Sequence, residues 1–67
     1  MITIIVNGAM RQLPQSISIS DLIDDMGMTG KRVALERNGE IVPRSAFTAQ
    51  KLAEGDKLEI VVAVGGG

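Results

Sequence analysis

Two segments of the chain have hydrophobic side chains at every second position, which is the period of a β-strand. The first runs from Ile2 to Val6 and the second from Lys57 to Val64. Each segment therefore predicts a strand with one face turned toward a core. The positions expected to face inward on these two strands are Ile2, Ile4, Val6, Leu58, Ile60, Val62 and Val64.

Two Asn-Gly pairs predict tight hairpins, because both residues of this dipeptide tolerate the positive φ of a type I′ turn. Asn7-Gly8 would join the first strand to a second strand over residues 9–13. Asn38-Gly39 would join a strand over residues 32–37 to a short strand over 40–42. The sequence thus predicts two hairpins, one in each half of the chain.

One short helix is predicted between the hairpins by a capping box and an apolar stripe. The Ser18 hydroxyl would accept a backbone N–H, and the Asp21 carboxylate would accept one in return. Gly27 is placed to end the helix in the left-handed conformation. The stripe has helical spacing and consists of Ile19, Leu22, Ile23 and Met26.

The order of these elements predicts an α+β fold, in which one main helix packs across a mixed sheet of four to five strands. The segment 44–52 is expected to be irregular, with Phe47 and Leu52 as its anchors in the core. The length of 67 residues allows one domain, which we place at residues 1–64, followed by a flexible glycine tail at 65–67.

The composition removes several kinds of chemistry from consideration. The chain has no cysteine and no histidine, so it has no thiol nucleophile and lacks the commonest general base. Its net charge of −1 gives no positive electrostatic field to attract a phosphate backbone, and its single aromatic residue gives no surface on which bases could stack, so nucleic acid is not expected as a partner. It has neither a basic leader nor an apolar run of the roughly 20 residues that a membrane helix needs. We therefore expect a cytoplasmic protein that is not itself an enzyme and acts with larger partners.

Three motifs with possible functional meaning are interpreted as structural. The spacing of the two glycines in the segment 27–31 differs from that of a phosphate-binding loop, so this segment is predicted to be a helix cap and turn. The three aspartates within residues 21–25 lack further oxygen ligands nearby, so no metal site is expected. Arg37 and Arg44, which flank the second hairpin, could bind a carboxylate or phosphate of a partner, but they are expected to be solvated charges.

The end of the chain offers two features that could serve a partner. A run of three glycines has no side chains, so it could thread a narrow channel, although a frayed end is the alternative. Ile5, Val61 and Ala63 point away from the core and would form one apolar patch if the first and last strands were neighbours. Scattered apolar residues are also ordinary on protein surfaces.

Three stretches carry a resemblance to a known family. They are residues 33–45 (VALERNGEIVPRS), residues 52–56 (LAEGD) and residues 59–67 (EIVVAVGGG). In this order they resemble the ThiS family, the sulfur carriers of thiazole formation in thiamin biosynthesis, and the resemblance covers essentially the whole chain. It implies a ubiquitin-like β-grasp fold.

The resemblance also implies a chemistry that takes place at Gly67. An E1-like adenylating enzyme of the ThiF type would activate the Gly67 carboxylate with ATP, and a persulfide enzyme would supply sulfur to form a thiocarboxylate. A thiazole synthase of the ThiG type would then receive the sulfur. Gly65 and Gly66 would thread the partner's active site, and the chain, a monomer when alone, would bind no cofactor of its own. The residues expected to contact partners are Ile5, Val61, Ala63 and Val64.

Two other functions remain open from the sequence. The small subunit of molybdopterin synthase shares the fold and the tail, but it is usually longer and has more helix. A ubiquitin-like protein modifier would end as an isopeptide on lysine side chains, and recovery of such conjugates would favour it.

Overall fold

The computed structural model describes residues 1–63, and in it the last strand of the chain lies at the centre of a five-stranded mixed sheet. The strands lie in the order β2-β1-β5-β3-β4. The predicted α+β fold with one helix is confirmed. In chain order the elements are β1 (Ile2–Val6), β2 (Ala9–Leu13), α1 (Ile19–Asp25), β3 (Val33–Arg37), β4 (Glu40–Ile41), a 3₁₀ helix (Arg44–Ala46) and β5 (Lys57–Val62).

The central strand β5 joins the two hairpins into one sheet. It runs parallel to β1, where Val6 lies beside Leu58, and antiparallel to β3, where Leu35 lies beside Ile60. Because β1 and β5 are parallel and the end of β1 lies beside the start of β5, the first residues of β1 and the last residues of β5 lie at opposite ends of the sheet.

Both predicted Asn-Gly turns are confirmed by their backbone angles. The φ values are 50° and 84° at Asn7 and Gly8, and 52° and 86° at Asn38 and Gly39. Positive φ at both central positions is the requirement of a type I′ turn, and it matches the twist of the paired strands. The strand β4 is one residue shorter than predicted and ends at Ile41, although the Val42 N–H still donates to the Leu35 carbonyl at 2.9 Å and the Val42 side chain is buried in the core.

The helix α1 has the predicted cap at each end. The Asp21 N–H donates to Ser18 Oγ at 3.0 Å, and the Ser18 N–H donates to Asp21 Oδ2 at 3.4 Å. Gly27, which follows the C-cap residue Met26, has a φ of 75°, so the segment 27–31 is a cap and turn, as predicted. The helix buries Ile19, Leu22 and Ile23 against the sheet, and Met26 packs at the edge of the core.

The core lies between α1 and one face of the sheet and is almost entirely aliphatic. Phe47 and Leu52 are buried in it, as predicted. The segment before them is more regular than predicted, because the Phe47 N–H donates to the Arg44 carbonyl at 3.1 Å and closes a 3₁₀ turn. The buried hydrophobic residues are Ile4, Val6, Leu13, Ile19, Leu22, Ile23, Leu35, Val42, Phe47, Leu52, Leu58 and Ile60.

The final strand ends earlier than the alternation predicted. β5 stops at Val62, which is half-buried rather than part of the core, and Ala63 follows outside the strand. Val64 and the tail at 65–67 lie outside the described residues, so the domain boundary placed there stays a prediction. Within residues 1–63, no helix has the length and apolar character to cross a membrane.

Candidate partner-binding site at the end of the final strand

The predicted site residues divide into those that the structure describes and those that it does not. Val64, Gly65, Gly66 and Gly67 lie outside the described residues, and their roles stay predictions. Ile5, Val61 and Ala63 are described, so the structure shows whether they meet.

The patch predicted from Ile5, Val61 and Ala63 does not form as one surface. The two strands are neighbours, but the parallel register places Ile5 beside Lys57. Val61 lies four residues farther along β5, about 13 Å away, and pairs instead with Ala34 of β3. Both Ile5 and Val61 are on the sheet face opposite α1, yet they are too far apart to make one contact surface.

Val61 instead belongs to a shallow trough on the outer face of β3, β4 and β5. The trough has a volume of about 120 Å³. Its floor is apolar, and two of its side chains, Ile41 and Val61, are exposed by 80% and 63%. We call this surface the outer trough; its lining residues are Ala34, Leu35, Glu36, Ile41, Glu59 and Val61. Ile41 was not predicted as a site residue, although the two-residue Asn38-Gly39 turn places it opposite Glu36.

The end of β5 is held in place from both sides. The Asn7 side chain donates through Nδ2 to the Ile60 carbonyl at 3.0 Å and accepts the Ile60 N–H through Oδ1 at 2.7 Å. Because β1 ends at Val6, this amide takes the place of the next peptide group in the β1–β5 ladder. On the other side, the Ala63 N–H donates to the Arg32 carbonyl at 2.8 Å. The backbone that leads into the tail is therefore fixed at Ile60 and again at Ala63.

The start of β5 is held by a buried ionic network that the sequence did not reveal. The Asp56 carboxylate, in a residue exposed by only 6%, accepts the Ala53 N–H at 2.8 Å and Asn38 Nδ2 at 3.1 Å. Arg37 Nη2 lies 2.7 Å from Asp56 Oδ2, and Arg37 Nη1 donates to Gln50 at 3.0 Å. The expectation that Arg37 is a solvated charge was therefore wrong, because the arginine is folded back against the sheet.

The environment of Asp56 shifts its pKa in two opposing directions. Burial alone would raise the pKa, because it disfavours the charged carboxylate. The hydrogen bonds from the Ala53 N–H and Asn38, together with the Arg37 charge and hydrogen bond, outweigh burial and hold the pKa of Asp56 below its ordinary value. Asp56 is thus kept ionised by its partners.

The aspartates of the helix region are used in local contacts. Asp24 accepts the Thr29 hydroxyl at 2.6 Å, Asp25 lies 3.2 Å from Arg11, and Asp21 completes the capping box. Over residues 1–63, no group of three His, Cys, Asp or Glu side chains could hold a metal ion. Arg44 is exposed, as predicted.

Comparison with known proteins gives consistent matches in sequence. The family model for the ThiS family matches residues 4–67. The chain is 41% identical over 64 residues to a thiazole synthase from Paramagnetospirillum magneticum. This match covers 96% of the chain and 20% of that protein. The chain is also 35% identical over 66 residues to the uncharacterized protein ycf40 of Pyropia yezoensis, and this match covers 98% of the chain and 93% of that protein. The chain therefore spans about a fifth of the thiazole synthases that it matches, but most of the ycf40 protein.

Comparison with solved structures confirms the fold. The crystal structure of the thiamine biosynthesis protein ThiS from Geobacter metallireducens has a TM-score of 0.83 and 29% identity, and the match covers 98% of this chain and 100% of that one. A solution structure of a thiamine biosynthesis protein from the same organism has a TM-score of 0.80 and 29% identity. The mixed sheet with one helix is the ubiquitin-like β-grasp fold, as the resemblance implied.

Proposed function

Because the chain belongs to the ThiS family, we propose that it is a sulfur carrier for thiazole formation in thiamin biosynthesis. The observation that carries this proposal is the family match, which extends over residues 4–67 and so includes all three terminal glycines. The thiamine biosynthesis proteins of Geobacter metallireducens support it, since they share the fold over nearly the whole chain.

The proposed chemistry takes place at the Gly67 carboxylate. A carboxylate is a poor electrophile, so an E1-like adenylating enzyme of the ThiF type would first join its oxygen to the α-phosphorus of ATP and release pyrophosphate. Sulfur from an enzyme persulfide would displace AMP from the carbonyl carbon, and a thiol would cleave the resulting sulfur–sulfur bond. The product is a thiocarboxylate. ATP and sulfur thus act through partner enzymes, and the chain is their substrate rather than a catalyst.

The anchored end of β5 supports this role because it fixes where the tail begins. The Ala63 N–H donates a hydrogen bond to the Arg32 carbonyl, and four residues follow Ala63 in the sequence. Four extended residues span at most about 14 Å. A partner that acts on Gly67 must therefore place its active site within that distance of Ala63, with Gly65 and Gly66 offering no side chain to obstruct the approach.

The thiazole synthase partner, of the ThiG type, is supported by the relatives of that name. Two proteins called thiazole synthase contain a region similar to this chain within a much longer polypeptide. When a carrier and an enzyme are joined in one polypeptide, each is at a high effective concentration for the other. Such a fusion is therefore expected for two proteins that act on each other. These relatives favour the thiazole function over molybdopterin synthesis or protein modification. Since adenylation uses ATP, we place the function in the cytoplasm.

Partner contacts are proposed for the residues that lie near the tail. Val61 is the strongest of the described ones, because it is exposed and lies two residues before Ala63. Val64 is proposed on its position alone. Ile5 would form a separate contact near the start of β5, since the register keeps it away from Val61.

Reconstitution tests the proposal directly. The chain is incubated with the adenylating enzyme, ATP and a persulfide donor, and intact-protein mass spectrometry should show one oxygen replaced by sulfur, with fragmentation placing the change on Gly67. A mild alkylating agent should label the same atom, because the chain has no cysteine to compete.

A matched control is the chain without Gly66 and Gly67. It should keep its unfolding transition but fail to support ATP–pyrophosphate exchange by the adenylating enzyme. Exchange with the truncated chain would contradict the proposal, as would a full-length chain that is never thiolated under conditions that thiolate an authentic carrier.

A further inference from the structure

Two glutamates face each other across the centre of the outer trough. Glu36 of β3 lies directly opposite Glu59 of β5, and both are exposed. Like charges at directly opposed positions of a sheet destabilise it. Within residues 1–63 the ion pairs are Arg11–Asp25 and Arg37–Asp56, so neither glutamate forms an ion pair with the described chain, although Lys57 lies on the same face two residues before Glu59.

Folding gives no reason for this arrangement. The outer face carries no part of the core, and an uncharged polar residue at either position would satisfy the sheet equally well. Apolar side chains flank the two carboxylates, with Ile41 beside Glu36 and Val61 two residues beyond Glu59. An apolar floor with two like charges that form no ion pair is complementary to a surface that offers a cation within an apolar rim.

The trough is also close to the tail. Val61 lies two residues before Ala63, which is about 7 Å of strand. Because the tail spans at most about 14 Å, any partner whose active site reaches Gly67 must pass close to this part of the sheet.

We infer that the outer trough docks the enzyme that adenylates Gly67, through an arginine or lysine of that enzyme placed between the Glu36 and Glu59 carboxylates and apolar atoms packed on Ile41 and Val61. This inference rests on the proposed function. The adenylating enzyme is the partner because it meets the carrier before modification, when three glycines offer no side chain to recognise. A later partner can recognise the thiocarboxylate itself.

A second copy of the chain is a poor occupant of the same surface. A two-fold contact would place the same patch of both copies face to face. Such a contact would bring four carboxylates together with only the Lys57 of each copy on the same face, so the charge favours a basic partner over self-association.

The inference predicts opposite effects on stability and on recognition. The double variant Glu36→Gln/Glu59→Gln should raise the urea midpoint of the free carrier, since the repulsion is removed. In ATP–pyrophosphate exchange it should raise the KM for the carrier about tenfold with kcat unchanged, because the Gly67 carboxylate is untouched. The reversal Glu59→Lys should raise the urea midpoint further through pairing with Glu36 and raise KM more.

The matched control is Glu40→Gln, the same change in β4 at a position that pairs with Arg37 and therefore lies on the other face of the sheet. It should leave the KM for the carrier unchanged, and it should not raise the urea midpoint, because Glu40 lies opposite a positive charge rather than a negative one. Raising the salt concentration should raise the KM of the wild-type carrier and have little effect on that of the double variant.

The possible results separate the inference from the proposed function. Exchange by wild-type carrier with an unchanged KM in the double variant would overturn the inference alone. A change confined to thiazole synthase binding, or to self-association in sedimentation, would also overturn it by assigning the trough to another occupant. Absence of exchange with the wild-type chain would overturn the proposed function and this inference together.

Discussion

The two hairpins use the same turn to hold opposite ends of one strand, but they hold it with different chemistry. At each turn an asparagine adopts positive φ and its side chain reaches the backbone of β5. Asn7 makes two neutral hydrogen bonds to Ile60, close to the tail. Asn38 accepts the Lys57 N–H at 2.9 Å at the start of β5 and also donates to the buried Asp56 carboxylate.

Because of this difference, the start of β5 contributes mainly to the stability of the domain, and its end mainly positions the backbone that leads into the tail. The ionic network lies at the end of β5 that is remote from the tail, where the loop before the strand buries Asp56 against Arg37. The end near the tail is held by uncharged groups. Changes at the Asp56 end should therefore act on the stability of the whole domain, whereas changes at Asn7 should act more locally, on the backbone that presents the tail.

The largest effect is expected from Asp56→Ala. This change leaves Arg37 and Asn38 without their shared partner, and breaking a buried ion pair costs about 3–5 kcal/mol. We expect a loss of about 3 kcal/mol in urea unfolding, since Arg37 remains partly accessible to water. Asp56→Asn, which keeps the shape and loses the charge, should cost less. A loss below about 0.5 kcal/mol for Asp56→Ala would show that the network does not stabilise the fold.

A smaller and more local effect is expected from Asn7→Gly. Glycine accepts the positive φ, so the change removes the two bonds to Ile60 without straining the turn. The loss should be about 1–2 kcal/mol, and the Ile60 amide should exchange with solvent faster than that of Leu58.

The matched change in the other hairpin is Asn38→Gly. It should cost more than Asn7→Gly, because it also removes a donor from Asp56. Equal losses from the two changes, with Ile60 exchange unaltered in both, would contradict the distinction between the hairpins.

The elements of both hairpins could be predicted because their signals are local. Asn-Gly pairs, a capping box and the alternation of side chains act between residues that are close in sequence, and each led to the correct element. The two ends of β5 could not be predicted in the same way. Asn7 and Ile60 are 53 residues apart, and their contact depends on where β1 stops beside a strand formed at the other end of the chain.

The candidate site was predicted less completely for the same reason. Side-chain alternation gives the face on which Val61 lies, but neither the direction nor the register of its neighbour. The parallel pairing that separates Ile5 from Val61, and the pairing that brings Glu36 opposite Glu59, are properties of the assembled sheet. Asp56 looked like an ordinary turn residue because its burial depends on the distant Arg37.

A pH titration should distinguish the hairpins with less disturbance of the structure than mutation, because protonation removes the charge of Asp56 and leaves its side chain in place. The pKa of Asp56 in the folded protein lies below that of an unfolded aspartate, about 3.9. The stabilisation that follows is therefore complete above the unfolded pKa and is lost as the pH falls through the folded pKa. Urea unfolding from neutral to acid pH should show this loss for wild-type protein and for Asn7→Gly. In Asp56→Asn the acid loss should be reduced, and an unchanged profile would show that other carboxylates produce it.

The smallest effect is expected from the exposed ion pair of the first hairpin. Arg11 of β2 lies 3.2 Å from Asp25 at the end of α1, with side chains exposed by 39% and 61%. Exposed pairs contribute about 0–1 kcal/mol, because water already solvates both charges and salt screens them. We expect Asp25→Asn to cost no more than about 0.5 kcal/mol in urea unfolding, and still less in high salt. The comparison is with Asp56→Asn, the same substitution at a carboxylate that also pairs with an arginine but is buried. If the two substitutions cost the same, burial would not be what makes the Arg37–Asp56 pair important, and the stability of the second hairpin would have to come from its neutral hydrogen bonds.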